Sequence, residues 1–264
     1  SVHWEERITM SRQMAVKVTA GTAVAGALAF GLAIPAQAAS SPAPAPKTSS
    51  TPAKRAVVTT AQLNAGTKLR LGDTGDGVTD VQTRLNTVGI ITPVSGVYNA
   101  TTAKNVARFN EKFRGYEEGA NKVVDLKTWA RLKSASAKGD RVPSVCKTKA
   151  AALCISKSQR VVRYYRKGKL VTALDARFGG PGNRTRNGNF RIFRKVKNDF
   201  STLYKTPMPW SMYFSGGQAV HYSMFFNAVG YNGASHGCVN IRDKQGEIAL
   251  WKKVKIGTFA KVYN

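Results

Sequence analysis

Large apolar residues recur at helical spacing in three stretches of the first half of the chain. Val78, Val81, Leu85 and Val88 follow Asp76; Val106, Phe109 and Phe113 follow Thr101 and Thr102; Trp129 and Leu132 follow Asp125. Each set falls on one face of a helix behind a residue suited to cap its N-terminus. With Gly72, Gly75, Gly89 and Gly96 at the turns, residues 59–135 are expected to form a small unit of three short amphipathic helices. Beyond residue 150 the period falls to two. Arg160–Tyr165 and Leu170–Leu174 flank Arg166-Lys167-Gly168-Lys169 in a hairpin pattern, Phe190 and Ile192 alternate with Arg191, and Thr258–Tyr263 reads as a last strand. Asp243–Val254, with Ile248, Leu250 and Trp251, is the one helix this part predicts. The expected class is α+β and multidomain: a helical unit, a polar connector over 136–150, and a mostly β domain over 151–264.

The first residues follow a different logic. Arg12 and Lys17 precede the uncharged run Val18–Ile34, and Pro35 precedes Ala36-Gln37-Ala38, a small-x-small cleavage signal. Residues 1–38 thus read as a secretory signal peptide. The alternative is an uncleaved membrane anchor, but the run has 17 residues diluted by Gly, Ala and Thr, below the ~20 strongly apolar residues that a span needs. Residues 39–58, mostly Ser, Pro, Ala, Thr and Lys, read as an extended linker.

Composition narrows the partners. With 42% hydrophobic residues in 264, the chain can bury a core, and disorder over most of its length is excluded. Lys and Arg number 41 against 14 Asp and Glu, a formal charge of +27, or +26 once residues 1–38 are removed. Such an excess suits nucleic acid, an anionic membrane or an anionic polymer. Export removes nucleic acid and points to an anionic envelope polymer, with solubility alone as the competing explanation. The charge is uneven: residues 60–135 hold 11 basic and 7 acidic side chains, residues 150–264 hold 20 and 4. Arg163, Arg166, Lys167 and Lys169 form one basic cluster; Arg184, Arg186, Arg191, Arg194, Lys195 and Lys197 form another.

Three cysteines in an exported protein leave one unpaired within the chain. Cys146 and Cys154 lie eight apart and either close a short disulfide loop, worth about 2–3 kcal/mol, or remain reduced. Cys238 lies in the Gly-containing turn Ser235-His236-Gly237-Cys238-Val239-Asn240. The two histidines beyond the cleavage point, His221 and His236, are both just upstream. A free thiol is mostly protonated at neutral pH, so a neighbouring imidazole base is the usual way to make it a nucleophile. A zinc site of His221, His236 and Cys238 is the alternative, three ligands with few carboxylates nearby. A buried structural cysteine is a third, disfavoured by the Gly-rich surroundings.

The residues carry two resemblances. Leu69-Arg70-Leu71-Gly72-Asp73-Thr74-Gly75, then Gly96-Val97-Tyr98 and Thr128-Trp129 resemble a peptidoglycan-binding-like domain of three helices. The departures are Asn110, where that family usually has Gln, and the insert Tyr116–Asn121. Val220-His221 followed by Ser235-His236-Gly237-Cys238-Val239-Asn240 is similar to the signature of the L,D-transpeptidase catalytic domain. Thr185-Arg186-Asn187-Gly188-Asn189-Phe190 looks like that family's Thr-Pro-x-Gly-x-Phe segment, with Arg186 in place of the proline. Met208–Phe214, containing Tyr213, matches the approach to the site.

This resemblance implies Cys238 as nucleophile and His221 as general base, oriented by a backbone carbonyl. Ser235, His236 and Gly237 would shape the loop, with the N–H groups of His236, Gly237 and Cys238 as oxyanion hole. Asn240 and Arg242 would hold the loop or a substrate carboxylate, Tyr213 would contact substrate, and Tyr222, where many members carry glycine, would narrow the acceptor side. It implies no metal and no cofactor. The implied reaction is 3-3 cross-linking of peptidoglycan stem peptides with release of D-Ala, and the implied inhibitors are carbapenem-type β-lactams. L,D-carboxypeptidase and protein-anchoring activities share the acyl-enzyme. A non-catalytic wall-binding protein is the alternative of another class.

Overall fold

The computed structural model describes residues 55–114, 122–137 and 142–264. The signal-peptide segment, the linker up to residue 54 and the Tyr116–Asn121 insert lie outside the described residues. Among the described residues no helix is long and apolar enough to cross a membrane.

The helical part contains α1 (Thr60–Asn64), α2 (Asp76–Thr87), α3 (Ala100–Arg114) and α4 (Leu126–Ala137). The apolar stripes meet in one core of Leu63, Leu69, Val78, Val81, Leu85, Tyr98, Val106, Phe109, Trp129 and Leu132. Helix α1 escaped the periodicity because five residues are too few to show a period; a capping box between Thr59 and Gln62 starts it. Folded structure also begins earlier than the linker expectation allowed. Val58 is buried in the core and its N–H donates to the Thr74 carbonyl at 2.8 Å. A Cβ on Gly75 would meet the Val58 carbonyl at 2.6 Å, so that approach requires glycine.

The connector is likewise not only polar. Helix α4 runs into it to Ala137, and a one-turn helix α5 (Ser144–Thr148) carries Cys146. A disulfide joins Cys146 to Cys154 in β1 (Ala151–Ser156), and both half-cystines pack in a small buried cluster with Val142, Ala152 and Tyr165.

The remaining strands are β2 (Val161–Arg166), β3 (Lys169–Arg177), β4 (Gly188–Arg191), β5 (Arg194–Val196), β6 (Phe200–Ser201), β7 (Thr206–Pro207), β8 (Ser211–Ser215), β9 (Gln218–Tyr222), β10 (Val239–Ile241) and β11 (Phe259–Tyr263). Nine form one mixed sheet in the order β4-β11-β1-β2-β3-β10-β9-β8-β5, and β6 and β7 form a separate two-stranded hairpin. The predicted β2–β3 hairpin turns on Lys167 and Gly168, both at positive φ, the geometry of a primed two-residue turn. Helix α6 (Met224–Val229) follows β9, and α7 (Lys244–Lys253), capped by Asp243, follows β10. Leu153, Val162, Leu174, Val220, Val239, Leu250 and Val262 are part of the domain core.

The helical part is packed directly on β3. The Asp175 N–H donates to the Gly89 carbonyl at 2.7 Å, and a Cβ on Gly89 would meet the Leu174 carbonyl carbon at 2.7 Å. Beside this contact lies a buried cluster of charge. Asp175 pairs with Lys112 of α3 at 2.8 Å and with Arg242 at 3.0 Å, and Arg242 pairs in turn with Glu111 of α3 at 3.1 Å. The Arg242 guanidinium also lies over the Phe226 and Tyr231 rings. Burial pushes the Lys112 ammonium down to about 8, opposed by Asp175.

Glu247 of α7 is fully buried, and both its oxygens lack a hydrogen-bond partner among the described residues. Burial raises its carboxyl well above the usual range, with the charge of Asp243 adding to the shift. A raised folded-state value means stability is lost as pH rises from the unfolded carboxyl range toward that value. Glu247→Gln, which keeps shape without ionisation, is therefore expected to raise the thermal midpoint at pH 8 and change it little at pH 4.5. Melting curves at both values check this.

Candidate active site

The register of two parallel strands builds the site. Val239 of β10 pairs with Val220 of β9, and Asn240 pairs with His221. The two valines face the core, so by alternation Asn240 and His221 face the other way. Cys238, just before β10, shares a smaller cluster with Ala219 of β9, Met208 and Tyr213. Antiparallel β3 continues the row by setting Arg177 opposite Asn240. Neighbouring strands are about 4.8 Å apart, so Cys238, His221, Asn240 and Arg177 line one cleft of about 830 Å³.

Cys238 is the free cysteine of the described residues and is partly exposed. Its thiol is pushed above the ordinary value by burial, against the Ala219 N–H that favours the thiolate and with the Asp199 charge adding to the rise. His221 is 5% exposed. Burial lowers its imidazole to about 4, opposed by the Tyr222 carbonyl, the Asp199 charge and an Asn240 side-chain hydrogen bond. Nδ1 lies 2.8 Å from the Tyr222 carbonyl oxygen. A carbonyl only accepts, so Nδ1 carries the proton and Nε2 holds the free lone pair. The cleft thus holds a thiol, its Sγ 3.8 Å from the Gly217 carbonyl oxygen, and a neutral imidazole.

The nucleophile loop is braced from below. Ser235 Oγ donates to the Cys238 carbonyl at 2.6 Å and accepts from the Gly237 N–H at 3.2 Å. That N–H is therefore already engaged, a correction to its expected place among free oxyanion donors. Thr185 Oγ1 donates to the Gly237 carbonyl at 2.9 Å. Gly237 has φ +112°, a conformation that calls for glycine, and a Cβ there would also displace the end of the Gln218 side chain, 2.7 Å away. The Arg186 N–H donates to Gln218 Oε1 at 3.0 Å, a bond that a proline at this position would lack.

The other expected residues divide. His236 is exposed and stacks on Tyr204 of the β6–β7 hairpin, ring centroids 4.0 Å apart. Tyr213 lines the cleft, but its hydroxyl donates to Asp199 Oδ2 at 2.6 Å, and burial together with that bond pushes it up to about 12. Tyr222 packs its ring against Trp210 and is absent from the cleft lining. Arg242 is also absent from the lining; its guanidinium is committed to Glu111 and Asp175, so the expected carboxylate-binding role gives way to a structural one. Among the described residues no three His, Cys, Asp or Glu side chains are grouped to hold a metal.

Sequence reasoning missed Asp199, whose charge reaches both His221 and Cys238. It also missed Tyr204 and Gln218. No local motif marks them, because sheet order and a hairpin bring them in.

Comparison with known proteins bears on the second part of the chain. Residues 150–263 match the YkuD family model, the L,D-transpeptidase catalytic domain. The matched residues contain the cleft and all of its lining. A crystal structure of an L,D-transpeptidase from Xylanimonas cellulosilytica aligns with TM-score 0.54 and 25% identity over 74% of this chain and 97% of that one. An L,D-transpeptidase from Stackebrandtia nassauensis aligns with TM-score 0.51 and 20% identity over 74% and 95%, and shares the fold. No curated protein matches the chain.

Proposed function

We propose that the protein is an exported cysteine L,D-transpeptidase that forms 3-3 cross-links in peptidoglycan. The observation that carries the reading is that the Cys238 thiol, at the start of β10, and the neutral His221 imidazole of β9 line one cleft. As Sγ bonds to the carbonyl carbon of the third stem residue, its proton passes to His221 Nε2 and the carbonyl π electrons move to oxygen. N–H donors of the nucleophile loop receive that oxyanion, each such donor being worth about 10²–10³ in rate. Collapse breaks the C–N bond, and the departing D-Ala amine takes the proton from His221. A side-chain amine of a second stem then attacks the thioester, gives its proton to His221, and the thiol reforms.

Arg177, Arg186, Arg194 and Lys205 face the cleft against the single acid Asp199, which suits stem peptides that carry carboxylates. Water as acceptor would give an L,D-carboxypeptidase, and a protein amine would give anchoring. The helical part, by its resemblance, would contact glycan. Incubation with a purified disaccharide-tetrapeptide is expected to give a dimer lighter by one D-Ala. A monomer lighter by one D-Ala would mean hydrolysis instead, and unchanged masses would overturn the enzymatic reading.

A further inference from the structure

We infer that the YkuD domain carries a second binding site, separate from the catalytic cleft, for a flexible phosphodiester-linked polyol chain. The site is a groove of about 840 Å³ formed by the β2–β3 turn, the residues before β1, and the end of α7 with the loop after it. Seven cations line it: Lys149, Arg166, Lys167, Arg191, Lys252, Lys253 and Lys255. All seven are exposed, no acid is in the lining, and no residue is shared with the catalytic cleft.

The domain has no charge left with which to neutralise this groove. Its four acids are Asp175, Asp199, Asp243 and Glu247. Asp175 is paired with Lys112 and Arg242, Asp199 lies in the catalytic cleft on Tyr213, Asp243 caps α7, and Glu247 is buried and held neutral. The groove therefore presents an uncompensated positive field in a concave wall, the arrangement that concentrates a linear polyanion. The structure also corrects the basic clusters seen in the sequence. Arg163 is buried, and neither it nor Lys195, which donates to the Trp251 and Val254 carbonyls, lines the groove.

The floor separates a polyol phosphate from a single-stranded nucleic acid. Nucleic-acid grooves add open aromatic faces on which bases stack. Here Tyr164 is only 4% exposed, and Phe259, partly buried, lies under the Lys149 ammonium at 5.7 Å. Neither ring is fully open to a base. Charge with little stacking fits repeating phosphates on a small polyol.

The probe is synthetic poly(glycerol phosphate), titrated against the full chain at about 50 and 200 mM salt. With three to five phosphates engaged, affinity should fall roughly 20- to 100-fold across that range, on a slope of ~0.7 per contact. Lys252→Gln/Lys253→Gln/Lys255→Gln should weaken binding at least tenfold at low salt. Lys68→Gln/Arg70→Gln/Lys127→Gln, exposed residues of the helical part with the same charge change, should not. Equal losses in the two triple variants would overturn the site in favour of net charge. A single-stranded oligonucleotide of equal charge that binds more tightly than the polymer would overturn the ligand class. Carbapenem acylation of Cys238 is read in parallel and should be unchanged in both variants, so loss of the catalytic reading and loss of this one are distinguishable.

Discussion

Exchanging His221 for alanine is expected to slow acylation of Cys238 by a carbapenem about 10²- to 10⁴-fold, the usual worth of a positioned general base. Cys238→Ala should abolish it, and intact-protein mass spectrometry over time reads both. The pH dependence tests the geometry further. Because burial holds the imidazole at about 4, the base stays neutral through pH 5–8. The wild-type rate should be flat across that window and fall only as pH approaches 4. A preformed thiolate, by contrast, would give a rate rising tenfold per pH unit below the thiol value. Folding stability moves with the same group. Its value falls from about 6.5 in the unfolded chain to about 4, so the unfolded state binds the extra proton between those limits. Stability is then complete above pH 6.5 and is lost as pH drops toward 4, by about 3 kcal/mol. Urea unfolding at pH 7 and 4.5 should show this loss in the wild type and not in His221→Ala.

The second large effect lies away from the chemistry. Asp175→Ala should destabilise the protein by about 3–5 kcal/mol, because it leaves Lys112 and Arg242 buried without their shared carboxylate. Lys112→Met in that background removes one orphaned charge and should recover part of the loss. Denaturant unfolding of the single and double variants provides the measurement. A change below 1 kcal/mol for Asp175→Ala would mean that water reaches the cluster.

Both results bear on what the sequence could show. Helices α2, α3 and α4 are legible because each is at least 12 residues long with large apolar residues at helical spacing on one face, and the β2–β3 hairpin because Lys167-Gly168 marks its turn. Helices α1, α5 and α6 have five or six residues and are set by caps and packing, which leave no period to read. At the site, the residues around Cys238 stand together in the chain, so their grouping was legible. The role of Arg242 was not, because its partner Glu111 is 131 residues away on a helix of the other part. Asp199 escaped for the same reason: a carboxylate carried in by the strands beside β8 has no local spacing to betray it. Tyr222 looked like a cleft residue from its place after His221, but strand alternation turns its ring toward Trp210.

The contact of Gly89 with β3 has one further consequence. Backbone meets backbone there with no room for a methyl group, and Glu111 reaches the Tyr231 N–H past a glycine, Gly230, whose Cβ would collide with its carboxylate. Such a seam leaves little tolerance for a foreign partner. A chimera that grafts another three-helix module onto this catalytic half would have to import its own counterparts of residues 89, 111 and 112 and find positions 175, 230 and 242 already matched to them. The two parts are matched residue by residue along this seam.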